Sequence, residues 1–273
     1  MKIEQGQVAV VTGGASGIGF ALAEELGRRG CRLVIADIRS DALAHAGEQL
    51  RAAGHDVVDV ITDVSDPASV QALADTTIDR YGRVDVVCNN AGVVGPIAPM
   101  WEQSLRSWER LVDIKLMGVV HGVRSFAPLL VAAGRGHILN TASAGGLIVL
   151  PGMTPYNATM HAVVGLTETL DVELRKAAPG LGSTVLCPGR VATDLEKNSI
   201  ELDDTDALAS TAKSNAAEGL STDPGLVVSA ADTACCALDA VEAGRVHAIL
   251  GRRRSAGILD RVNTVVADLV AGD

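Results

Sequence analysis

The sequence alternates short apolar runs with longer segments of helical spacing from its N-terminus to residue 250. The apolar runs are rich in β-branched residues, and most of them are continuously apolar, a pattern typical of strands that are buried on both faces. They cover residues 8–12, 32–36, 56–62, 84–89, 136–142, 183–188 and 246–250. Strand–helix alternation of this kind predicts an α/β protein with a doubly wound parallel sheet of seven strands and helices on both faces.

The chain of 273 residues contains no internal repeat, low-complexity tract or linker, so we expect a single domain over residues 1–273. One polar and acidic segment, at about residues 194–223, interrupts the regular alternation. Connections of this length are usually lids over a binding site or disordered loops. We expect a substrate lid here.

Composition excludes several classes of function. The formal net charge of −10 argues against a nucleic acid or an anionic membrane as a partner. The five cysteines lack metal-ligand spacing, so they predict buried free thiols, with neither a disulfide framework nor a metal site. The N-terminus has no apolar signal core, and no uncharged apolar stretch of about 18 residues occurs. We therefore expect a soluble, cytoplasmic protein.

A glycine-rich turn, TGGASGIG at residues 12–19, follows the first apolar run and opens a helical segment. Gly13, Gly17 and Gly19 let the backbone turn tightly and approach a pyrophosphate, whose charge the helix N-terminus stabilises. These glycines could instead serve only helix–strand packing. Between a first strand and a first helix, the turn favours a dinucleotide site.

Polar motifs also end the later runs. Asp37 closes the second run, where a carboxylate can bind ribose hydroxyls, although it could instead cap the next helix. Ser143 follows the fifth run, thirteen residues before Tyr156, although its hydroxyl could merely satisfy loop backbone. TDV (62–64), NNAG (89–92) and PGRVATD (188–194) end the third, fourth and sixth runs. Because ligands bind at the carboxyl ends of strands in open parallel sheets, the motifs predict one shared site.

In order and spacing, these motifs resemble the short-chain dehydrogenase/reductase family over essentially the whole chain. The resemblance implies a Rossmann-like fold and interconversion of a secondary alcohol and a ketone by hydride transfer. It also implies a homodimer or homotetramer that assembles through the fourth and fifth helices. The cofactor site that it implies comprises Gly13, Ser16, Gly17, Ile18, Gly19, Asp37, Ile38, Asp63, Val64, Asn90, Ala91, Gly92, Lys115, Tyr156, Pro188, Gly189, Val191 and Thr193.

NAD is the expected cofactor. The 2′-phosphate of NADP needs a cation, which this family usually places just before the second motif glycine or just after the second strand. Those positions hold Ser16 and Ile38, and the carboxylate of Asp37 would repel the phosphate. Arg39 is close in sequence and is the residue that would favour NADP instead.

The family's catalytic set is an asparagine at a kink in the fourth helix, then a serine, a tyrosine and a lysine. Ser143 and Tyr156 match the serine that orients the substrate and the tyrosine that transfers the proton. Met160 stands where the lysine is expected, and Lys115 stands where the asparagine is expected. In the family the lysine binds the ribose and lowers the tyrosine pKa, because a nearby cation favours the phenolate.

We expect Lys115 to supply the displaced cation, since the two positions are neighbours in the family's structure. Alternatively, Lys115 faces solvent or a partner and the protein is a catalytically weak or inactive dinucleotide-binding relative that acts as a sensor or scaffold. A non-redox reaction that uses Tyr156 alone is a third reading. The expected substrate pocket is mostly apolar, which favours a hydrophobic alcohol over a phosphorylated sugar, and consists of Val94, Ser143, Leu147, Met153, Arg190 and Leu195.

Overall fold

Seven parallel strands form the central sheet in a computed structural model that describes residues 1–202, 227–250 and 255–271. The strands are β1 (Val8–Thr12), β2 (Arg32–Asp37), β3 (Val57–Ile61), β4 (Val86–Asn89), β5 (Arg135–Thr141), β6 (Gly180–Cys187) and β9 (His247–Ile249). Their order in the sheet is β3-β2-β1-β4-β5-β6-β9, which confirms the predicted doubly wound sheet. Since the order reverses between β1 and β4, a crevice opens at their carboxyl ends.

Helices cover both faces of the sheet. On one face pack α1 (Gly17–Arg28), α2 (Ser40–Ala52) and α8 (Ala230–Glu242), and on the other α3 (Pro67–Tyr81), α5 (Gly118–Ala133) and α6 (Thr154–Ala177). The other described elements are α4 (Leu105–Leu111), α7 (Leu195–Glu201), α9 (Ser255–Ala271) and a short strand pair, β7 (Arg190–Val191) with β8 (Val227–Val228). Of the predicted lid, α7 is described, and residues 203–223 lie outside the described part of the chain.

The continuously apolar strands arise because the sheet has a core on each side. All five residues of β1 are buried. Val11 packs into the cluster on the α1 face, whereas Val10 packs into the cluster on the opposite face. The edge strand β3 differs, since its Ile61 is 65% exposed and its Asp59 accepts a hydrogen bond from Arg51 at 2.7 Å. Alternation with polar residues therefore returns only where one face of a strand is open.

A continuous helical stretch, Leu105–Ala133, contains α4, a π-helical segment (Val112–Met117) and α5. By length and composition alone this stretch could cross a membrane, and 39% of its most apolar window is buried inside the protein. Phe126 and Leu130 on α5 are fully buried in the core against the sheet, which accounts for part of the apolar composition. The π-helical segment lies where the family resemblance implies a kink, and such segments are frequent at functional sites.

Candidate active site

A cavity of about 430 Å³ lies at the carboxyl ends of β1, β2, β4, β5 and β6, in the crevice where the strand order reverses. Of the residues predicted from sequence, Gly19, Leu147 and Met153 lie outside its lining. Leu147 and Met153 instead pack against the apolar cluster that contains Tyr156. The predicted residues that do line the cavity are Gly13, Ser16, Gly17, Ile18, Asp37, Ile38, Asp63, Val64, Asn90, Ala91, Gly92, Val94, Lys115, Ser143, Tyr156, Pro188, Gly189, Arg190, Val191, Thr193 and Leu195.

The N-terminus of α1 forms one end of the cavity. Ser16 is the N-cap residue but makes no capping hydrogen bond with its side chain, and the first turn carries no acidic residue. The backbone N–H groups in the first turn of α1 and the positive end of its helix dipole can therefore bind an external anion. Gly13 and Gly17 have positive φ values of 65° and 55°, and a Cβ on Gly13 would lie 2.8 Å from the Cα of Ala91. The turn thus requires glycine for both conformation and close packing.

Asp37 lies at the end of β2 beside this turn. Its carboxylate accepts hydrogen bonds from the backbone N–H groups of Ala15, at 3.3 Å, and Arg39, at 3.1 Å. Arg39, not Asp37, is the N-cap residue of α2, so the alternative role of Asp37 as a helix cap does not apply. The Arg39 guanidinium pairs with Asp37 at 3.4 Å and donates to the Ser16 hydroxyl at 2.9 Å. Asp37 therefore faces the cavity with an arginine beside it.

Asn90 connects the ends of three strands at the base of the cavity. Its side-chain amide donates to the carbonyl oxygen of Thr12 at 3.1 Å, and its side-chain oxygen accepts from the Thr141 hydroxyl at 3.1 Å. The Thr12 hydroxyl in turn accepts from the backbone N–H of Asn90 at 2.9 Å. Because Thr12, Asn90 and Thr141 follow or end β1, β4 and β5, these bonds hold the strand ends in a fixed arrangement.

Ser143 and Tyr156 lie together in the middle of the cavity wall. The Ser143 hydroxyl accepts a hydrogen bond from the Gly145 N–H at 3.1 Å and also interacts with Tyr156, so it both caps a short turn and faces the site. Tyr156, in the first turn of α6, is only 8% exposed. Burial raises the pKa of Tyr156 above its ordinary value, and the hydrogen bond with Ser143 acts in the opposite direction. Without a cofactor, then, the phenol is protonated at neutral pH.

Lys115 extends from the π-helical segment into the same cavity. It is 4% exposed, and its Nζ lies 5.8 Å from the centroid of the Tyr156 ring. The side chain does not reach solvent, unlike the solvent-facing alternative considered from sequence. Burial lowers the Lys115 pKa to about 8, so the amine is mostly protonated at pH 7. A buried cation within about 6 Å of an aromatic ring also has a favourable electrostatic contact with the ring face.

Gly92 and Met160 explain why this lysine fits. A Cβ on Gly92 would lie 2.7 Å from Cδ of Lys115, so the lysine stem occupies the space that a side chain at position 92 would need. Met160 is fully buried in an apolar cluster with Leu111 and Val163, and the π-helical segment packs against the helix that carries it. Lys115 is thus the lysine that the described residues place in the cavity wall.

Sequence reasoning missed several lining residues. Arg110 and Ile114 precede Lys115 on the same helical stretch, and Thr141 and Ala142 precede Ser143. Asn198 and Leu202 lie three and seven residues after the predicted Leu195, which is the spacing of one helix face. This helical periodicity is the signal in the sequence that could have identified Asn198 and Leu202.

Comparisons with known proteins identify the family to which the chain belongs. The family model for short chain dehydrogenase matches residues 7–203. The 1-deoxy-11-beta-hydroxypentalenate dehydrogenase of Streptomyces avermitilis is 45% identical over 195 residues, which are 71% of this chain and 72% of that protein. The enzyme of the same name from Streptomyces exfoliatus is 42% identical over 193 residues, which are 70% of each chain.

A solved structure of a short chain dehydrogenase/reductase matches nearly the whole chain. The crystal structure of a short chain dehydrogenase/reductase from Burkholderia phymatum in complex with NAD has a TM-score of 0.89 and is 36% identical. The match covers 98% of this chain and 97% of that chain. With the family model matching well over half of the sequence and the fold shared throughout, the chain belongs to the short-chain dehydrogenase family of oxidoreductases.

Proposed function

We propose that this oxidoreductase interconverts a secondary alcohol and a ketone with NAD, and that Lys115 replaces the lysine that the family carries at the position of Met160. The observation that carries the proposal is the buried Lys115 amine, 5.8 Å from the centre of the Tyr156 ring in a shared cavity. A cation close to a buried phenol favours the phenolate form by electrostatic attraction.

The residues at the α1 end of the cavity fit a nicotinamide dinucleotide. The uncapped first turn and the Gly13–Gly17 turn suit the pyrophosphate, and Asp37 suits the ribose hydroxyls. A bound nicotinamide ring supplies the hydride acceptor for alcohol oxidation and the hydride donor for ketone reduction. Asp37 favours NAD, while its pairing with Arg39 reduces its repulsion of a 2′-phosphate.

Proton transfer is assigned to Tyr156, and Ser143 orients the substrate oxygen. In oxidation, the Tyr156 phenolate accepts the hydroxyl proton, and the hydride from the same carbon would pass to a bound NAD. In reduction, neutral Tyr156 donates its proton to the carbonyl oxygen, and the carbonyl carbon would receive its hydride from bound NADH. Since burial keeps Tyr156 protonated, oxidation at neutral pH needs a cation that stabilises the phenolate. We assign this role to Lys115, whose amine lies 5.8 Å from the centre of the Tyr156 ring.

A panel of secondary alcohols tests the proposal. The pocket residues Val94 and Leu195 are apolar, so we expect 2-octanol and cyclohexanol to be oxidised faster than sorbitol 6-phosphate, followed by the absorbance of NADH. Tight NAD binding without turnover of any alcohol or of the matching ketones with NADH would contradict the proposal. It would favour a dinucleotide-binding sensor or scaffold.

Cofactor preference provides a separate test. We expect NAD to bind at least about tenfold more tightly than NADP, because the Asp37 carboxylate accepts hydroxyl protons and repels phosphate. Asp37→Ala is expected to narrow this ratio mainly by improving NADP affinity, measured by calorimetric titration of both cofactors. Arg39→Ala is the matched control, since it removes the neighbouring charge of opposite sign and should widen the ratio. Equal binding of both cofactors by the unmodified protein would contradict the preference.

The contact between Gly92 and Lys115 yields a coupling test. Gly92→Ala places a methyl group against the lysine stem and is expected to displace the amine from Tyr156. Oxidation at pH 7 should fall about tenfold in the unmodified background, but little further in a Lys115→Met background, because residues in contact act non-additively. Equal losses in both backgrounds would show that Gly92 acts through the cofactor alone.

We further infer a homo-oligomeric, cytoplasmic protein in which residues 1–273 form one domain. Support for self-association comes from α9, whose large apolar side chains are exposed, among them Leu259 at 58% and Leu269 at 71%. Light scattering on a size-exclusion column measures the mass in solution. A monomer at micromolar concentration would contradict the inference.

A further inference from the structure

Helix α7 is held to the substrate side of the cavity through one serine. Ser199 is fully buried, and its hydroxyl accepts a hydrogen bond from the backbone N–H of Val94 at 3.0 Å. The same hydroxyl donates to the carbonyl oxygen of Leu195 at 2.6 Å. The Arg110 guanidinium donates to the carbonyl oxygen of Ser199 at 3.0 Å. Val94 and Arg110 both line the cavity, so Ser199 connects α7 to two separate parts of its wall.

The neighbouring residue connects the same helix to the cofactor side. The side-chain amide of Asn198 donates to the Ser16 hydroxyl at 3.3 Å, and Ser16 precedes α1. Thr193, just before α7, packs on the glycine turn, because a Cβ on Gly17 would lie 3.0 Å from its methyl carbon. Consecutive residues of one helix therefore contact opposite ends of the cavity.

These contacts determine where α7 lies. The helix has seven residues, and a helix this short is not stable in isolation, so its position depends on tertiary contacts. It also carries part of the cavity wall, since Leu195, Glu196 and Asn198 line the cavity. A shift of α7 would change both the substrate side and the cofactor side of the site.

We propose that Ser199 is a positioning residue: it fixes α7 against the Val94 segment and thereby sets the substrate-side wall of the cavity. Ser199 does not line the cavity itself and acts through Val94 and Leu195. Asn198 positions α7 in the same way on the cofactor side, through its hydrogen bond to the Ser16 hydroxyl. The assignment of the two sides to substrate and cofactor rests on the proposed function.

Hydrogen exchange tests the positioning without requiring turnover. Ser199→Ala removes the acceptor of the Val94 N–H, and we expect the amides of residues 195–201 to exchange at least about tenfold faster, because a lost buried hydrogen bond weakens the docked state. Thr77→Val is the matched control. Thr77 is also fully buried, and its hydroxyl only donates to the carbonyl oxygen four residues earlier in α3. Unchanged exchange at residues 195–201 in Ser199→Ala would overturn the proposal, as would an equal increase in Thr77→Val.

Kinetic constants separate positioning from general destabilisation. With 2-octanol and NAD, Ser199→Ala is expected to raise KM for the alcohol about tenfold, with kcat changed less than about threefold and the Kd for NAD nearly constant. Asn198→Ala should show the opposite split, with a weaker Kd for NAD and little change in KM. Parallel changes of both constants in both variants would overturn the proposal. If no variant oxidises 2-octanol while the exchange difference persists, the proposed function fails and the positioning role of Ser199 stands.

Discussion

Lys115→Met is expected to lower the rate of alcohol oxidation at pH 7 by about 10- to 100-fold, because the phenolate of Tyr156 loses its neighbouring cation. Reduction of the ketone near neutrality should fall less, since the protonated phenol is already the required donor. NAD should also bind more weakly if the amine contacts the ribose. Steady-state kinetics in both directions and a calorimetric NAD titration measure these effects.

The pH profile identifies the cation directly. The form of the protein that is active in oxidation carries a phenolate at Tyr156 and an ammonium at Lys115. Burial raises the pKa of Tyr156 above its ordinary value and lowers the pKa of Lys115 to about 8, so the phenol ionises at a higher pH than the ammonium. Below pH 8, kcat/KM should rise about tenfold per unit. Above pH 8, each pH unit raises the fraction of Tyr156 phenolate about tenfold and lowers the fraction of Lys115 ammonium about tenfold. The two changes cancel, so kcat/KM should stop rising. In Lys115→Met, the rise should continue beyond pH 8, and an unchanged profile would contradict the role of Lys115.

The same substitution is expected to stabilise the fold. Burial lowers the Lys115 pKa from 10.5 to about 8, so the folded state holds the proton less tightly than the unfolded state. This destabilisation is fully present below pH 8 and decreases between pH 8 and 10.5. It vanishes above pH 10.5, where the lysine amine is neutral in both the folded and the unfolded protein. Lys115→Met should therefore raise the free energy of unfolding at pH 7 by about 3 kcal/mol, measured by urea unfolding.

Two variants control for the change of residue type. Lys176→Met replaces an exposed lysine near the end of α6 and should leave activity and stability nearly constant. The double change Lys115→Asn with Met160→Lys restores the family's usual residues and should recover part of the activity that Lys115→Asn loses. Recovery requires the new lysine to reach the cavity from a fully buried position, so the double variant also measures how far the two sites are interchangeable.

Tyr156→Phe is expected to abolish turnover in both directions, with a loss of at least about 1,000-fold, because it removes the group that transfers the proton. NAD affinity should stay within about twofold, since the aromatic ring remains in its buried position. Stopped-flow and endpoint assays with NAD and 2-octanol measure the loss, and fluorescence or calorimetric titration measures NAD binding.

The chain offers a matched control for this change. Its other tyrosine, Tyr81, donates to the carboxylate of Asp56 at 3.0 Å near the surface, outside the cavity lining. Tyr81→Phe should keep full turnover and cost at most about 1 kcal/mol of stability. If Tyr156→Phe kept most of the activity, another group would have to transfer the proton, and the redox mechanism assigned to Tyr156 would be wrong.

Much of this protein could be predicted from local patterns in its sequence. The seven apolar runs predict the strands to within a few residues, because strands buried on both faces must be apolar throughout. The motifs at their carboxyl ends predict the location of the cavity, since parallel strands bring those ends to one edge of the sheet. Asp37, Ser143 and Tyr156 follow from the same reasoning, and all three line the cavity.

Only the tertiary structure shows that Lys115 lies in the cavity wall beside Tyr156 and how helix α7 is held against that wall. Lys115 is buried within the π-helical segment, and its side chain occupies the space beside Gly92, a residue on a separate part of the chain. Leu147 and Met153 were expected in the pocket, but both pack into the cluster around Tyr156. The role of Ser199 depends on Val94, 105 residues earlier in the chain. Periodicity and motif spacing report local conformation, whereas contacts between distant segments arise only when the whole core packs.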